Sequence, residues 1–206
     1  MNIAVSFNRR KLNYAIVTLT SLCVNNPEHN DIFVLHSELE KSDLTKMAEM
    51  LHEFDVSISL VDILPDDIYK ILYLDVDDIV HGSLKELYEA DYDTSRKTEH
   101  QTYKLFARKA YEDGWTLEKV REKNKIINFD GNKPWEFNST HFELEKLWWE
   151  YAAKTPIYRE LMEELLENAL SDQRLENEIL QIEKDIETYK KTIAEVKTMI
   201  DKFSKA

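Results

Sequence analysis

Glycine and proline are scarce: three Gly and four Pro stand among 206 residues. So few turn-formers argue against many short strands joined by tight hairpins and point to much helix. Cysteine is limited to Cys23. A single thiol excludes an internal disulfide and a thiolate zinc site, and it fits a reducing compartment. Cys23 sits inside an apolar helical pattern and reads as core. No apolar run approaches the ~20 residues that span a bilayer, so a transmembrane protein is not expected. Met1-Asn2-Ile3-Ala4-Val5 opens directly into a strand pattern without a signal peptide, and the expectation is a cytoplasmic protein. Positive charge is also in short supply. Against 40 Asp and Glu there are 27 Lys and Arg, giving a net charge of −13. Such a surface repels phosphate backbones, so nucleic acid is not an expected partner.

What is present alternates. Residues 2–7 read as a strand, and Lys11 to Asn25 as a helix with Leu12, Ile16, Val17, Leu19, Leu22 and Cys23 on its apolar positions. Asp31 to Leu35 is a second strand. Ser42 to Phe54 is a helix with Ser42 or Asp43 as its cap, and Asp55 to Val61 is a third, alternating strand. Residues 70–75 form a fourth. This βα order predicts an α/β fold with a mostly parallel sheet flanked by helices. Gln101 to Val120 reads as a polar helix with no functional signal.

The segment Lys70-Ile71-Leu72-Tyr73-Leu74-Asp75-Val76-Asp77-Asp78 is the sharpest feature. A short apolar run ends in carboxylates two residues apart. In open α/β sheets ligands bind beyond the carboxyl ends of the strands, where Asp75 and Asp77 would lie. Two hard oxygen donors there suit a divalent ion that keeps positions open for diphosphate oxygens. The same aspartates would equally serve as caps of the following turn. Asn128-Phe129-Asp130-Gly131-Asn132-Lys133-Pro134-Trp135 follows another short apolar run, Ile126-Ile127. Gly131 permits close backbone approach to a ligand, and Lys133 is a compact cation suited to phosphate.

With these motifs, the N-terminal stretch Asn2 to Asn26, GSLKELYEADYD (82–93) and LWWEYAAKTP (147–156), the chain resembles glycosyltransferase family 8 over roughly residues 1–93 and 122–165. The resemblance implies a GT-A nucleotide-sugar-binding domain and a metal-dependent, retaining transfer of a hexose. The donor class would be UDP-glucose or UDP-galactose, and the acceptor a glycan. By position, Asp75 and Asp77 would hold a divalent metal, manganese in this family. Val76 would offer backbone beside the donor ribose, and Gly131 and Lys133 would contact the distal phosphate. Asn128 stands where the family has a metal-ligating His, so it is the candidate third ligand. The family offers an acidic residue and an Asn-Tyr pair to the base; the corresponding stretch here is Asn8-Arg9-Arg10-Lys11, with Lys11 in place of the stacking aromatic. Two family segments are missing, after Ile63 and after Asp93. The alternative is a catalytically impaired, glycosyltransferase-like interaction protein.

The domain is expected over residues 1–156, with a long helix over 157–206. Leu175, Ile179, Ile182, Ile186, Tyr189, Ile193, Val196, Ile200 and Phe203 recur at alternating spacings of four and three. A sustained 3.5-residue repeat is a coiled-coil seam. It would bury against the domain itself, against another protein, or against a second copy in a homo-oligomer. His36 and His81, near expected strand exits, read as turn or rim residues. The face formed by Leu147, Trp148 and Tyr151 reads as helix packing rather than sugar stacking.

Overall fold

Stretches rich in β-branched and aliphatic residues form the strands. β1 (Asn2–Ser6), β2 (Asn30–Leu35), β3 (Val56–Val61) and β4 (Leu72–Leu74) pair in the order β3-β2-β1-β4, every pair parallel. The computed structural model describes residues 1–36, 38–90, 104–136, 142–170 and 172–203, with the side chains of 142, 170, 172–176, 195 and 198–203 excepted. After β4 the chain turns at 75–77 and enters a second sheet. There β5 (Asp78–Val80) pairs antiparallel with β7 (Ile126–Asn128), and β6 (Lys104–Phe106) pairs parallel with β7. The expected α/β architecture with a mostly parallel sheet is present, divided between two sheets. β3 passes to β4 through a loop over 62–71 that holds no helix. The missing family segment expected after Asp93 falls on 91–103, outside the described residues.

α1 (Leu12–Asn25) is buried on nearly every side, from Tyr14 through Cys23. Such a helix lies inside its domain, and α1 packs between β5 and α6 (Phe142–Ala152). Several polar side chains at its C-terminal half and end bond the segment after β4. Thr18 Oγ1 donates to the Val76 carbonyl at 2.8 Å, and Asn25 Nδ2 donates to the Val80 carbonyl at 3.0 Å. Ser21 Oγ accepts from the Val80 amide at 3.0 Å, and Asn26 Oδ1 from the Leu84 amide at 2.7 Å. These bonds fasten the segment from 76 to 84, which leads into α3 (Lys85–Glu89), to the core. Cys23 is 2% exposed, and burial pushes its thiol up to about 12.

Two local expectations are corrected. The second helix, α2 (Lys41–Met50), is capped by neither Ser42 nor Asp43: Glu40 is its N-cap, and Asp43, at the third helical position, reciprocates by accepting from the Glu40 amide at 2.9 Å. That is a capping box in which Asp43 takes the partner role. The polar helix expected over Gln101 to Val120 is three elements from Lys104 onward: β6, α4 (Ala107–Glu112) and α5 (Leu117–Lys123). Gly114, at φ 65°, ends α4, and Thr116 caps α5 by accepting from the Lys119 amide. Residues 101–103 lie outside the described residues.

The chain divides into two compact units, Met1–Met162 and Glu163–Ala206. The second holds the end of α7 (Tyr158–Leu170) and all of α8 (Asp172–Phe203), a continuous helix of 32 residues. Among the described residues no helix is long and apolar enough to cross a membrane.

The β2–β3 edge carries a pH-sensitive contact. Exposed His29 hydrogen-bonds Asp55 at 2.7 Å and Asp31 at 3.2 Å, and these partners, Asp55 foremost, raise its pKa above the usual 6.5. The stabilisation is fully present below that value and is lost as pH rises through the higher folded pKa. His29→Gln is therefore expected to lower Tm more at about pH 5.5 than at about pH 8.5. An equal loss at both values in thermal melts would show that the His29 charge contributes nothing.

Candidate functional site

The carboxyl ends of β1, β2, β3 and β4 open on one edge of the main sheet. The order β3-β2-β1-β4 reverses at β1, with β2 on one side and β4 on the other. This is the topological switch point where open α/β sheets bind ligands. A cavity of ≈ 430 Å³ lies at the same edge, lined by Ser6, Phe7, Asn8, Lys11, Leu35, His36 and Asp62. Asn8 and Lys11 are both exposed there, and the Asn8 carbonyl accepts from the Lys11 amide at 2.9 Å. His36 Nδ1 accepts from the Leu39 amide and so shapes a turn. A larger hollow of ≈ 600 Å³ between α2 and β3 has a mostly aliphatic wall, including Leu44, Ala48, Leu51 and Ile58, and offers no convergent set of charged groups.

Next to β1, at the end of β4, the tight turn brings Asp75, Asp77 and Asp78 together, with one carboxylate oxygen from each within 4.8 Å of the others. Asp78 is fully buried and its Oδ2 accepts from the Asp75 amide at 2.9 Å, so it closes its own turn, whereas the next helix, Lys85–Glu89, is not capped by any of these aspartates. Burial dominates the Asp78 carboxyl and raises it to about 6, although Lys104 and Asn128 pull the other way. Lys104, on β6, donates to Asp75 Oδ2 at 2.8 Å and to Asp78 Oδ2 at 3.0 Å. Burial works against its ammonium, but Asp78 and Asp75 outweigh it and raise its pKa. The pair's two shifts share a direction because desolvation governs the aspartate and charge governs the lysine.

The second sheet delivers the loop. Asp78 and Asn128 are opposite one another in the β5–β7 ladder, and the Phe129 amide donates to the Asp77 carbonyl at 3.0 Å. Asn128 thus lies at the carboxylates, donating through Nδ2 to Asp77 Oδ1 at 2.9 Å and to Asp78 Oδ1 at 2.8 Å. Lys133 curls back to donate to Asp77 Oδ2 and to the Phe129 carbonyl. Gly131 has φ 85°, a conformation that disfavours a side chain, and a Cβ there would meet Arg108 Nη2 at 2.9 Å. The loop is anchored by aromatics. Trp135 stacks on Tyr14 at 4.0 Å between centroids and lies 5.2 Å from fully buried Trp148, while Trp149 Nε1 donates to the Pro134 carbonyl. The Leu147, Trp148 and Tyr151 face is packing, as expected.

Val76 is buried, and its carbonyl is the acceptor for Thr18 described above. Thr18→Val leaves that carbonyl buried without its donor, which is expected to cost about 1–3 kcal/mol in denaturant unfolding. A change below about 0.5 kcal/mol would mean that the strap contributes little.

The donor chemistry fits a hard divalent cation: three carboxylates and the side-chain amide of Asn128 converge, with Asp75 and Asp77 partly open. Binding requires the Lys104 and Lys133 ammoniums to release the oxygens they hold, and the Asn128 amide to turn its oxygen inward. Asp78, Lys104 and Arg108 are the site residues that sequence reasoning missed. Asp78 was visible in the motif, whereas Lys104 and Arg108 arrive through the β6–β7 pairing, which has no local signature.

No protein-family model matches the chain, and no curated protein matches it. Solved structures do. The chain is similar to the galactosyltransferase LgtC in complex with donor and acceptor sugar analogs, with TM-score 0.55 and 13% identity over 76% of this chain and 96% of that one. It is similar to the bifunctional glycosyltransferase WbbM, with TM-score 0.61 and 12% identity over 80% of this chain and 51% of that one. The apo form of the glycosyltransferase GlyE of Streptococcus pneumoniae gives TM-score 0.56 and 15% identity over 73% and 59%. The chain therefore has an α/β, Rossmann-like fold with a mostly parallel sheet, of the GT-A kind seen in these solved structures.

Proposed function

We propose that the chain is a metal-dependent, retaining hexosyltransferase of the family 8 kind, taking a UDP-glucose- or UDP-galactose-type donor and a glycan acceptor. The observation that carries this reading is the convergence of Asp75, Asp77 and Asp78 with the Gly131–Lys133 loop beside the switch point of the main sheet. Asp75 and Asp77, with Asn128 as a third ligand, would hold the metal, which the resemblance gives as manganese. Bound there, the cation supplies charge neutralisation for a departing nucleoside diphosphate. Lys133 would turn from Asp77 to the distal phosphate, adding a second positive charge where negative charge develops. Arg108, over Gly131, adds a third cation to the same loop. Asn8 on the cavity rim would receive the nucleoside, with Val76 backbone beside the ribose. The stereochemical outcome follows from the resemblance alone, and no side chain here is given the role of nucleophile.

Calorimetric titration with UDP tests the reading. Binding is expected in manganese and is expected to vanish on chelation; no heat under either condition overturns it. A second reading is favoured by one observation, the occupation of the carboxylate oxygens by Lys104, Lys133 and Asn128. A domain whose acidic site is internally neutralised would serve as an interaction module without turnover, presented by its C-terminal helix. In that case the parent protein binds neither UDP nor manganese.

A further inference from the structure

α8 leaves a stripe of apolar side chains uncovered. Ile179, Ile182, Ile186, Ile193 and Val196 are each 48–57% exposed, and Tyr189 is 69% exposed. Soluble chains rarely carry so continuous a row without covering it. The row follows a strict heptad, with Ile179, Ile186 and Ile193 at one core position and Ile182, Tyr189 and Val196 at the other. Such a row fits another helix better than a sheet face.

We propose that the occupant is α8 of a second copy of this chain, packed antiparallel. Charge decides the direction. From Asn177 to Glu187 the helix carries Glu178, Glu183, Asp185 and Glu187 against a single Lys184. From Thr188 to Lys197 it carries Lys190, Lys191 and Lys197 against a single Glu195. A parallel pair lays acidic half on acidic half and sets Glu178 of one helix against Glu183 of the other, flanking the seam. An antiparallel pair lays acidic half on basic half. In the register that places Ile186 against the second copy's Tyr189, Glu183 flanks the seam beside the second copy's Lys190, and twofold symmetry makes that contact twice. The same register sets backbone position 172 beside 203 of the second copy, so the 32-residue helices overlap end to end without a ragged terminus. It also packs each Tyr189 against an isoleucine instead of against its twin, which equalises the volume of the core layers.

Light scattering of the full chain at micromolar concentration is expected to give a dimer. Glu183→Lys creates two like-charge contacts and is expected to weaken dimerisation roughly tenfold. Adding Lys190→Glu restores both contacts with the charges exchanged and is expected to recover the parent affinity. In the parallel arrangement Glu183→Lys instead relieves the clash with Glu178 and tightens the dimer. A monomeric parent, a Glu183→Lys variant that dimerises as well as the parent or better, or a double variant that fails to recover would each overturn the proposal.

Discussion

Trp148→Ala is expected to destabilise the first unit by about 3–5 kcal/mol, a large share of the about 5–15 kcal/mol that holds an ordinary domain together. Trp148 has no exposed surface and is the largest fully buried side chain. It lies 6.4 Å from Tyr14, 5.2 Å from Trp135 and 4.8 Å from Trp149, ring centroid to centroid. Truncation therefore opens a cavity where α1, α6 and the loop after β7 meet. Because Trp135 belongs to that loop, positional order at Gly131 and Lys133 should fall along with stability. Trp148→Phe is expected to be milder, about 1–2 kcal/mol, since it keeps an aromatic ring and removes an indole N–H that has no partner among the described residues. Urea unfolding followed by far-ultraviolet circular dichroism measures both. An alanine variant within 1 kcal/mol of the parent would show that this cluster is not what seats the loop.

Asp77→Ala is expected to reduce manganese-dependent UDP binding at least about 100-fold, equivalent to about 2.7 kcal/mol. Asp77 is the carboxylate shared by the loop and the turn: Asn128 and Lys133 both donate to it. Its removal takes away a proposed metal ligand and frees two donors that otherwise hold the loop against the turn. Calorimetry in manganese reads the affinity, and a thermal melt separates lost binding from lost fold. A folded variant that binds UDP as tightly as the parent would show that the metal lies elsewhere.

The four parallel strands and α1 were legible in the sequence because each rests on local pattern. Ile3-Ala4-Val5 and Ile32-Phe33-Val34 are short aliphatic runs, and α1 repeats its apolar residues with helical spacing. Asp75, Asp77, Asn128, Gly131 and Lys133 were legible as motifs, and the structure joins Asp77, Asn128 and Lys133 directly and Asp75 through Lys104 and Asp78. Lys104 was not. Its strand, Lys104-Leu105-Phe106, is too short to show alternation and exists because β7 pairs with it, a contact more than twenty residues away in sequence. Helix-favouring Ala107, Arg108 and Lys109 follow at once and carry the local preference with them. Gly114 and Thr116 are local signals, a helix break and a helix cap, and they divide α4 from α5. Ser42 and Asp43 are the residue types that cap helices most often, whereas Glu40 is an uncommon choice; the reciprocal bond between Glu40 and Asp43 reverses the usual residue roles.

The burial of Cys23 has a practical consequence. Its sulfur sits in the buried helix α1 with its thiol held up to about 12, so the folded chain presents almost no thiolate to an alkylating reagent. Labelling must wait for α1 to leave the core. The rate at which a maleimide or iodoacetamide consumes this thiol therefore reports how often the centre of the molecule opens. The protein carries its own unfolding probe, and a cysteine introduced on the surface could be tagged without the native one interfering.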